Sequence, residues 1–142
     1  MMNYLKTPFT EPFRKATLAF LAIFCVLFAA SLIVGVSDNP PGIAISYTAF
    51  LFFMLAFTHH MRTARGYLLL FLVMLVGFVV FAVLHNVFYG FGKMTESILI
   101  LIYLFEVLHV GCFLIALFLC PPGAVIGLIG TVVFLIRNRK FS

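Results

Sequence analysis

The sequence predicts an all-α protein, specifically a polytopic integral membrane bundle of apolar helices. Of its 142 residues, 65% are hydrophobic and only 9% are charged, which is far more apolar material than a soluble domain needs to fill one core. The apolar residues also form five long runs, which short groups of proline, glycine and charged residues separate. We therefore expect one transmembrane domain over residues 1–142, without an added soluble domain.

The breakers between the runs set the predicted spans. The first run follows a basic leader and is longer than the roughly 7 to 15 apolar residues of a cleaved signal sequence, so we expect it to stay as a helix. The third is predicted to end at Gly90-Phe91-Gly92-Lys93, and Thr95-Glu96-Ser97 is predicted to cap the fourth. The predicted spans are residues 16–36, 43–60, 67–89, 97–119 and 121–136.

The number of crossings depends on the last segment, which Pro121-Pro122-Gly123 introduces. A helix over 121–136 reaches only about 24 Å, against a hydrocarbon core of roughly 30 Å, but it is apolar on all sides and so favours insertion. Lysine and arginine point the other way. Five crossings divide them five against four between the two sides, whereas four crossings give eight against one. We expect the first four segments to cross the membrane, and whether the fifth crosses stays open.

Glu106 and His109 lie near the middle of the fourth predicted span, where an ionisable side chain costs roughly 2.5 to 3.5 kcal/mol to insert. Their spacing of three residues places them on one helix face, with Tyr103 one turn earlier. At mid-membrane depth such residues usually face a partner, a cavity or a ligand. This stripe is the first candidate site.

The third predicted span adds His85 and Asn86. Because a short connection makes the third and fourth helices antiparallel neighbours, we expect Glu106 to reach Asn86 or His85 in a polar network. The network has two interpretations: hydrogen bonding between helices, or a site for a proton, a metal ion, a haem or a small polar ligand. A metal would use His85, Glu106 and His109.

Two of these cofactors are disfavoured. A di-iron centre needs two Glu-x-x-His pairs and further carboxylates, and the chain has only four acidic residues. For haem, His85 and His109 are expected to differ by roughly 10 Å in depth, which strains ligation of one iron by both. The cofactor stays unknown.

The remaining motifs have simpler structural interpretations. His59-His60 is predicted to be interfacial, beside the basic turn, and Gly123-x-x-x-Gly127 with Gly130 is predicted to let another helix approach closely, within the chain or in a dimer. The cysteines, which show no disulfide or metal spacing, are predicted to be reduced packing residues; they are Cys25, Cys112 and Cys120.

These observations predict a small non-enzymatic membrane protein, an accessory or structural subunit or a homo-oligomeric unit of a membrane assembly. Its partners would be the lipid bilayer, other membrane subunits or further copies of itself. The net charge of +5 flanks the apolar runs, so we expect no nucleic-acid binding. The alternatives are proton-coupled transport or ion handling at Glu106 and His109, and intramembrane metal or haem binding. We expect a prokaryotic cytoplasmic (inner) membrane.

Overall fold

The computed structural model describes residues 13–36, 39–95 and 98–139, apart from the side chains of 138 and 139, and this part is helical without strands. Four helices are long and apolar enough to cross a membrane, which confirms the predicted all-α membrane architecture at this level. The elements are α1 (Arg14–Val34), α2 (Pro40–Thr58), α3 (Ala64–Met94), α4 (Leu99–Leu114), a π-helical turn (Ile115–Leu119) and α5 (Cys120–Arg139).

The fourth and fifth predicted segments are parts of one helix. From Leu99 to Arg137 the helix continues for 39 residues, so the structure does not show a separate fifth span. Pro121 and Pro122 have no N–H to donate and would clash with carbonyls one turn back in a regular helix. The π-helical turn precedes them, and in it the Cys120 N–H reaches the Ile115 carbonyl five residues back. This local widening lets the helix pass through the prolines. We call the continuous element the long helix.

Helix α3 ends later than predicted. It continues through Gly90 and Gly92 to Met94, and the Thr95 hydroxyl donates to the Phe91 carbonyl at 2.8 Å as the helix closes. Thr95 therefore finishes α3 and does not cap α4, whose N-cap residue is Ile98 without a side-chain cap. The other two predicted caps, at positions 96 and 97, lie outside the described residues.

The helices contact one another in a line. Among the described helices, α1 packs on α2 alone, where Phe24 and Phe28 meet Phe50 with ring centroids 5.6 and 5.9 Å apart. Helix α2 then meets the long helix, where Phe50 stacks on Phe118 at 5.5 Å, and the long helix packs along α3. Within the described ranges the order is α1, α2, long helix, α3, an open row in which α3 has no buried residue.

The glycines of the last segment hold α3 and the long helix close together. A Cβ on Gly127 would lie 2.6 Å from the Phe71 backbone nitrogen, and one on Gly123 would lie 2.8 Å from Met74 Cγ. Gly130 faces the ring of Tyr67 in the same way. The small-residue stripe therefore serves contact within the chain.

Two helix ends and one connection lie together at one end of the row. The ring of Phe13 lies 5.9 Å from His59, and the Tyr67 hydroxyl donates to the Thr58 carbonyl at 3.2 Å while its ring stacks on Phe134 at 5.6 Å. The start of α1, the α2–α3 turn and the end of the long helix thus lie together. The described cations at this end are Arg14, Lys15, Arg62, Arg65 and Arg137, and the other end holds Lys93.

Candidate functional site

His85 of α3 and His109 of α4 lie side by side, with ring centroids 5.2 Å apart and planes tilted by 36°. The predicted difference of roughly 10 Å in depth was wrong. It assumed that α3 ends at Tyr89, whereas α3 continues to Met94 and so brings His85 level with His109.

The polar contacts form a short chain. His85 Nδ1 donates to the backbone carbonyl of His109 at 2.9 Å, and His109 Nδ1 lies 3.5 Å from Glu106 Oε2. The first is a well-formed hydrogen bond and the second a looser contact. Because a carbonyl oxygen only accepts, this chain does not connect the two imidazole rings by a proton path.

Asn86 and Tyr103 do not join the predicted network. The Asn86 amide donates to the Ala82 carbonyl of its own helix at 2.8 Å, and its side chain is exposed. Tyr103 is 65% exposed. Tyr89 contacts the site instead, with its ring 5.7 Å from that of His109. Tyr89 follows His85 by four residues, and that helical spacing is the sequence signal that identifies it.

Glu106 lies near one end of its helix, seven residues after Leu99. It precedes Phe118, the residue that meets the middle of α2, by 12 residues or about 18 Å. Glu106 was predicted near the middle of a span over 97–119. Because the helix continues past residue 119 to Arg137, Glu106 is closer to its start than to its middle. The Glu106 side chain is also 65% exposed, whereas that of His109 is only 14% exposed.

A cavity of about 140 Å³ opens between the end of α3 and the first turns of α4. Lys93 and Glu106, the charged residues described in this half of the molecule, line it together with His109. The Lys93 ammonium lies 5.7 Å from the centre of the Tyr89 ring, a cation–π distance. Aromatic and small residues complete the wall, among them Phe88, Phe105 and Gly92.

A second, shallower cavity of about 230 Å³ lies between α3 and the π-helical region. Its wall is apolar except for His85 and Asn86, and the small side chains Ala82 and Ala116 leave it open.

The geometry gives little support for the binding of a metal ion or a haem. Across the described residues, no group of three histidine, cysteine, aspartate or glutamate side chains is close enough to hold a metal ion. The imidazole rings of His85 and His109 contact each other directly, so there is no space for a macrocycle between them. All three cysteines are free, Cys112 and Cys120 buried and Cys25 exposed.

The predicted interfacial histidines pack at the basic end. His59 Nδ1 donates to the carbonyls of Leu55 and Ala56, both at 3.1 Å, and its ring contacts Phe13 and Phe20. Burial lowers the pKa of His60, which follows α2, and the neighbouring His59 lowers it further. His60 therefore favours its neutral form.

The chain matches no known protein-family model, and comparison with curated proteins and with solved structures yields no significant match. Any function must therefore be argued from the residues described above.

Proposed function

We propose that this protein is a four-span subunit of a membrane assembly, built from copies of itself or with other membrane proteins. The observation that carries the proposal is Asn86, an exposed amide beside an open groove in an apolar helix. Polar side chains in such helices commonly hydrogen-bond to a neighbouring helix, and small residues allow that helix to approach closely.

The bilayer position supports this interpretation. Tyr67 and Tyr89 are separated by 22 residues of α3, or about 33 Å, close to the roughly 30 Å hydrocarbon core. Tyrosine is enriched at both membrane–water interfaces, so we assign these two residues to opposite interfaces. Asn86, three residues inside Tyr89, then lies within the hydrocarbon, where water does not satisfy its remaining amide groups.

The orientation follows from the charges. With four crossings, both chain ends and the α2–α3 turn lie on one side, and the lysine and arginine count there is eight against one for Lys93. The excess of positive charge normally marks the cytoplasmic side. We infer that both ends are cytoplasmic. A prokaryotic inner membrane stays a prediction, because these helices would suit other bilayers of the same thickness.

The groove beside Asn86 fits a helix as its occupant. Its wall combines two alanines with Phe78, Phe113 and one amide. The Asn86 amide has already donated one N–H to the Ala82 carbonyl, which leaves its second N–H and its carbonyl for a partner. A hydrogen bond of this kind is worth about 0.6 to 2 kcal/mol within a membrane.

The test is the association state of the purified protein in mild detergent and in nanodiscs, with wild type compared against Asn86→Leu. The loss of one interhelical hydrogen bond should raise the dissociation constant by about three- to thirtyfold. Native mass spectrometry distinguishes self-association from co-purification of another membrane protein.

Thr48→Val is the matched control. Thr48 is also exposed on an apolar helix, and its hydroxyl donates only to the Ala44 carbonyl of that helix at 2.8 Å. This variant should associate like wild type. A wild-type preparation that is strictly monomeric and free of partners would contradict the proposal.

Proton-coupled transport has weaker support. The contact of Glu106 with His109 supplies a protonatable pair, but the hydrogen bond from His85 to a backbone carbonyl interrupts any path between the rings. Glu106 also lies near the start of the long helix, so the mid-membrane position on which the transport hypothesis relied loses its support.

A further inference from the structure

We propose that the cavity between α3 and α4 binds a zwitterionic headgroup that carries a primary ammonium and a phosphate, as in phosphatidylethanolamine. We call it the headgroup cavity; it is the one lined by Tyr89, Gly92, Lys93, Phe105, Glu106 and His109. This inference does not require the assembly proposed above, but it rests on the bilayer position of Tyr89 assigned there.

The charges of the headgroup cavity are the first argument. Glu106 is the only acidic residue in the described part of the chain, and Lys93 is the only described cation at this end. Both line the same 140 Å³ space, yet no ion pair joins them among the contacts of the described residues. A cavity with separated charges of both signs complements a ligand that also carries both.

The second argument is the size and position of the headgroup cavity. At about 140 Å³ it is smaller than the roughly 300 to 1,000 Å³ of pockets that enclose drug-sized ligands, so it suits a small polar group. It lies level with Tyr89, which the bilayer assignment puts at the interface where phospholipid headgroups are found. The acyl chains would then follow the exposed apolar surface of α3, which includes Val83 and Val87.

The third argument distinguishes ethanolamine from choline. An ammonium with N–H groups donates charge-assisted hydrogen bonds to a carboxylate such as Glu106, whereas a trimethylammonium has none to donate. Glu106 would therefore receive the ligand ammonium, with Lys93 directed toward the phosphate.

His109 holds the carboxylate in place. Its Nδ1 lies 3.5 Å from Glu106 Oε2, and its largely buried ring is held between Tyr89 and His85. We assign His109 as a positioning residue, because its contacts are with the Glu106 carboxylate and with the rings of Tyr89 and His85.

The experiment uses the full-length protein in nanodiscs of equal phosphatidylethanolamine and phosphatidylcholine, followed by progressive delipidation and mass spectrometry of the lipid that stays bound. Wild type should enrich phosphatidylethanolamine about tenfold over phosphatidylcholine, the effect of one charge-assisted hydrogen bond. Glu106→Gln should return the ratio to that of the bilayer, while Lys93→Gln should weaken retention of both lipids.

Arg65→Gln, an exposed charge at the opposite end, is the control and should keep the enrichment. The wild-type ratio needs no variant, so a folding defect in Glu106→Gln does not obscure the result. Equal retention of the two lipids by wild type, or enrichment that survives in Glu106→Gln, overturns the proposal. Soluble glycerophosphoethanolamine separates the sources: if it displaces the lipid, it supports the same chemistry with a soluble zwitterion as ligand, and if it does not, it supports the bilayer lipid.

Discussion

Most of the small polar side chains that the structure describes donate a hydrogen bond within their own helix. The hydroxyls of Thr58 and Thr131 donate to carbonyls four residues back at 2.8 and 2.7 Å, and Ser31 donates three residues back at 2.8 Å. A hydroxyl bonded in this way has donated its proton within its own helix, so it does not need an acceptor on a neighbouring helix. His85 differs, because its hydrogen bond crosses to α4 and ties the two helices together.

At the residue scale, the lowered pKa of His60 predicts how the stability of the folded protein depends on pH. Burial and the nearby His59 lower its pKa in the folded protein below the usual 6.5, against a smaller opposing effect of the Phe57 backbone. Just below pH 6.5 the unfolded chain then binds more protons than the folded one, so the free energy of unfolding falls as the pH falls through this window. Above pH 6.5 this contribution is constant.

Thermal unfolding in detergent between about pH 8 and pH 5 measures the effect, with His60→Gln as the comparison. The free energy of unfolding should fall more steeply toward acidic pH in wild type than in His60→Gln, because the variant lacks the group that titrates. Parallel pH profiles for wild type and His60→Gln would contradict the assignment.

At the scale of helices, the sequence predicted some boundaries well and others poorly. Helices α1 and α2 lie within three residues of their predicted bounds, because glycine at position 35 and proline at position 40 do end and begin helices there. Gly90 and Pro121 have the same local signals but lie inside helices. In an apolar surrounding an interrupted backbone has no water to bond to, so the helix continues and absorbs the local cost.

The same contrast between predictable and unpredictable helix ends explains which features of the candidate site could be predicted. Helix periodicity predicted that Glu106 and His109 share one face, and their side chains lie 3.5 Å apart. The predicted contact of Glu106 with Asn86 or His85 is not among the contacts of the described residues, and His85 instead bonds to the His109 carbonyl. Their depth was not predictable, since it depends on where α3 and the long helix end. The role of Lys93 also depends on α3 continuing past Gly92, which no residue pattern indicates.

Gly127 tests the contact between α3 and the long helix. An added Cβ would lie 2.6 Å from the Phe71 backbone nitrogen, so Gly127→Ala must separate the helices and should destabilise the protein by about 1 to 3 kcal/mol. Gly111→Ala is the control in the same helix, because a Cβ there meets no atom within 4 Å. It should be neutral or slightly stabilising, since alanine favours the helix. Equal effects of the two substitutions on unfolding would show that the contact is not tight.

At the scale of the whole molecule, helix lengths and contacts produce an uneven shape. The α1–α2 hairpin has helices of 21 and 19 residues, whereas α3 has 31 and the long helix extends for 39. Helix α2 begins at Pro40, about 15 Å before Phe50. The half of α4 that carries Glu106 therefore extends beyond the shorter hairpin. The headgroup cavity lies in this extension, and its described wall residues belong to α3 and α4.

The continuous long helix makes a prediction about topology, because a helix without a turn near Pro121 predicts four crossings. Single cysteines at exposed charged positions can be labelled with a membrane-impermeant maleimide in sealed, oriented vesicles. Arg65→Cys and Arg137→Cys should react from the same side and Lys93→Cys from the opposite side. Wild type is the control: its cysteines lie within the apolar helices, out of reach of a membrane-impermeant reagent. If Arg137→Cys instead reacts together with Lys93→Cys, the chain turns back near Pro121 and crosses five times. That outcome would also divide the cations five against four, and the charge argument for cytoplasmic chain ends would fail with it.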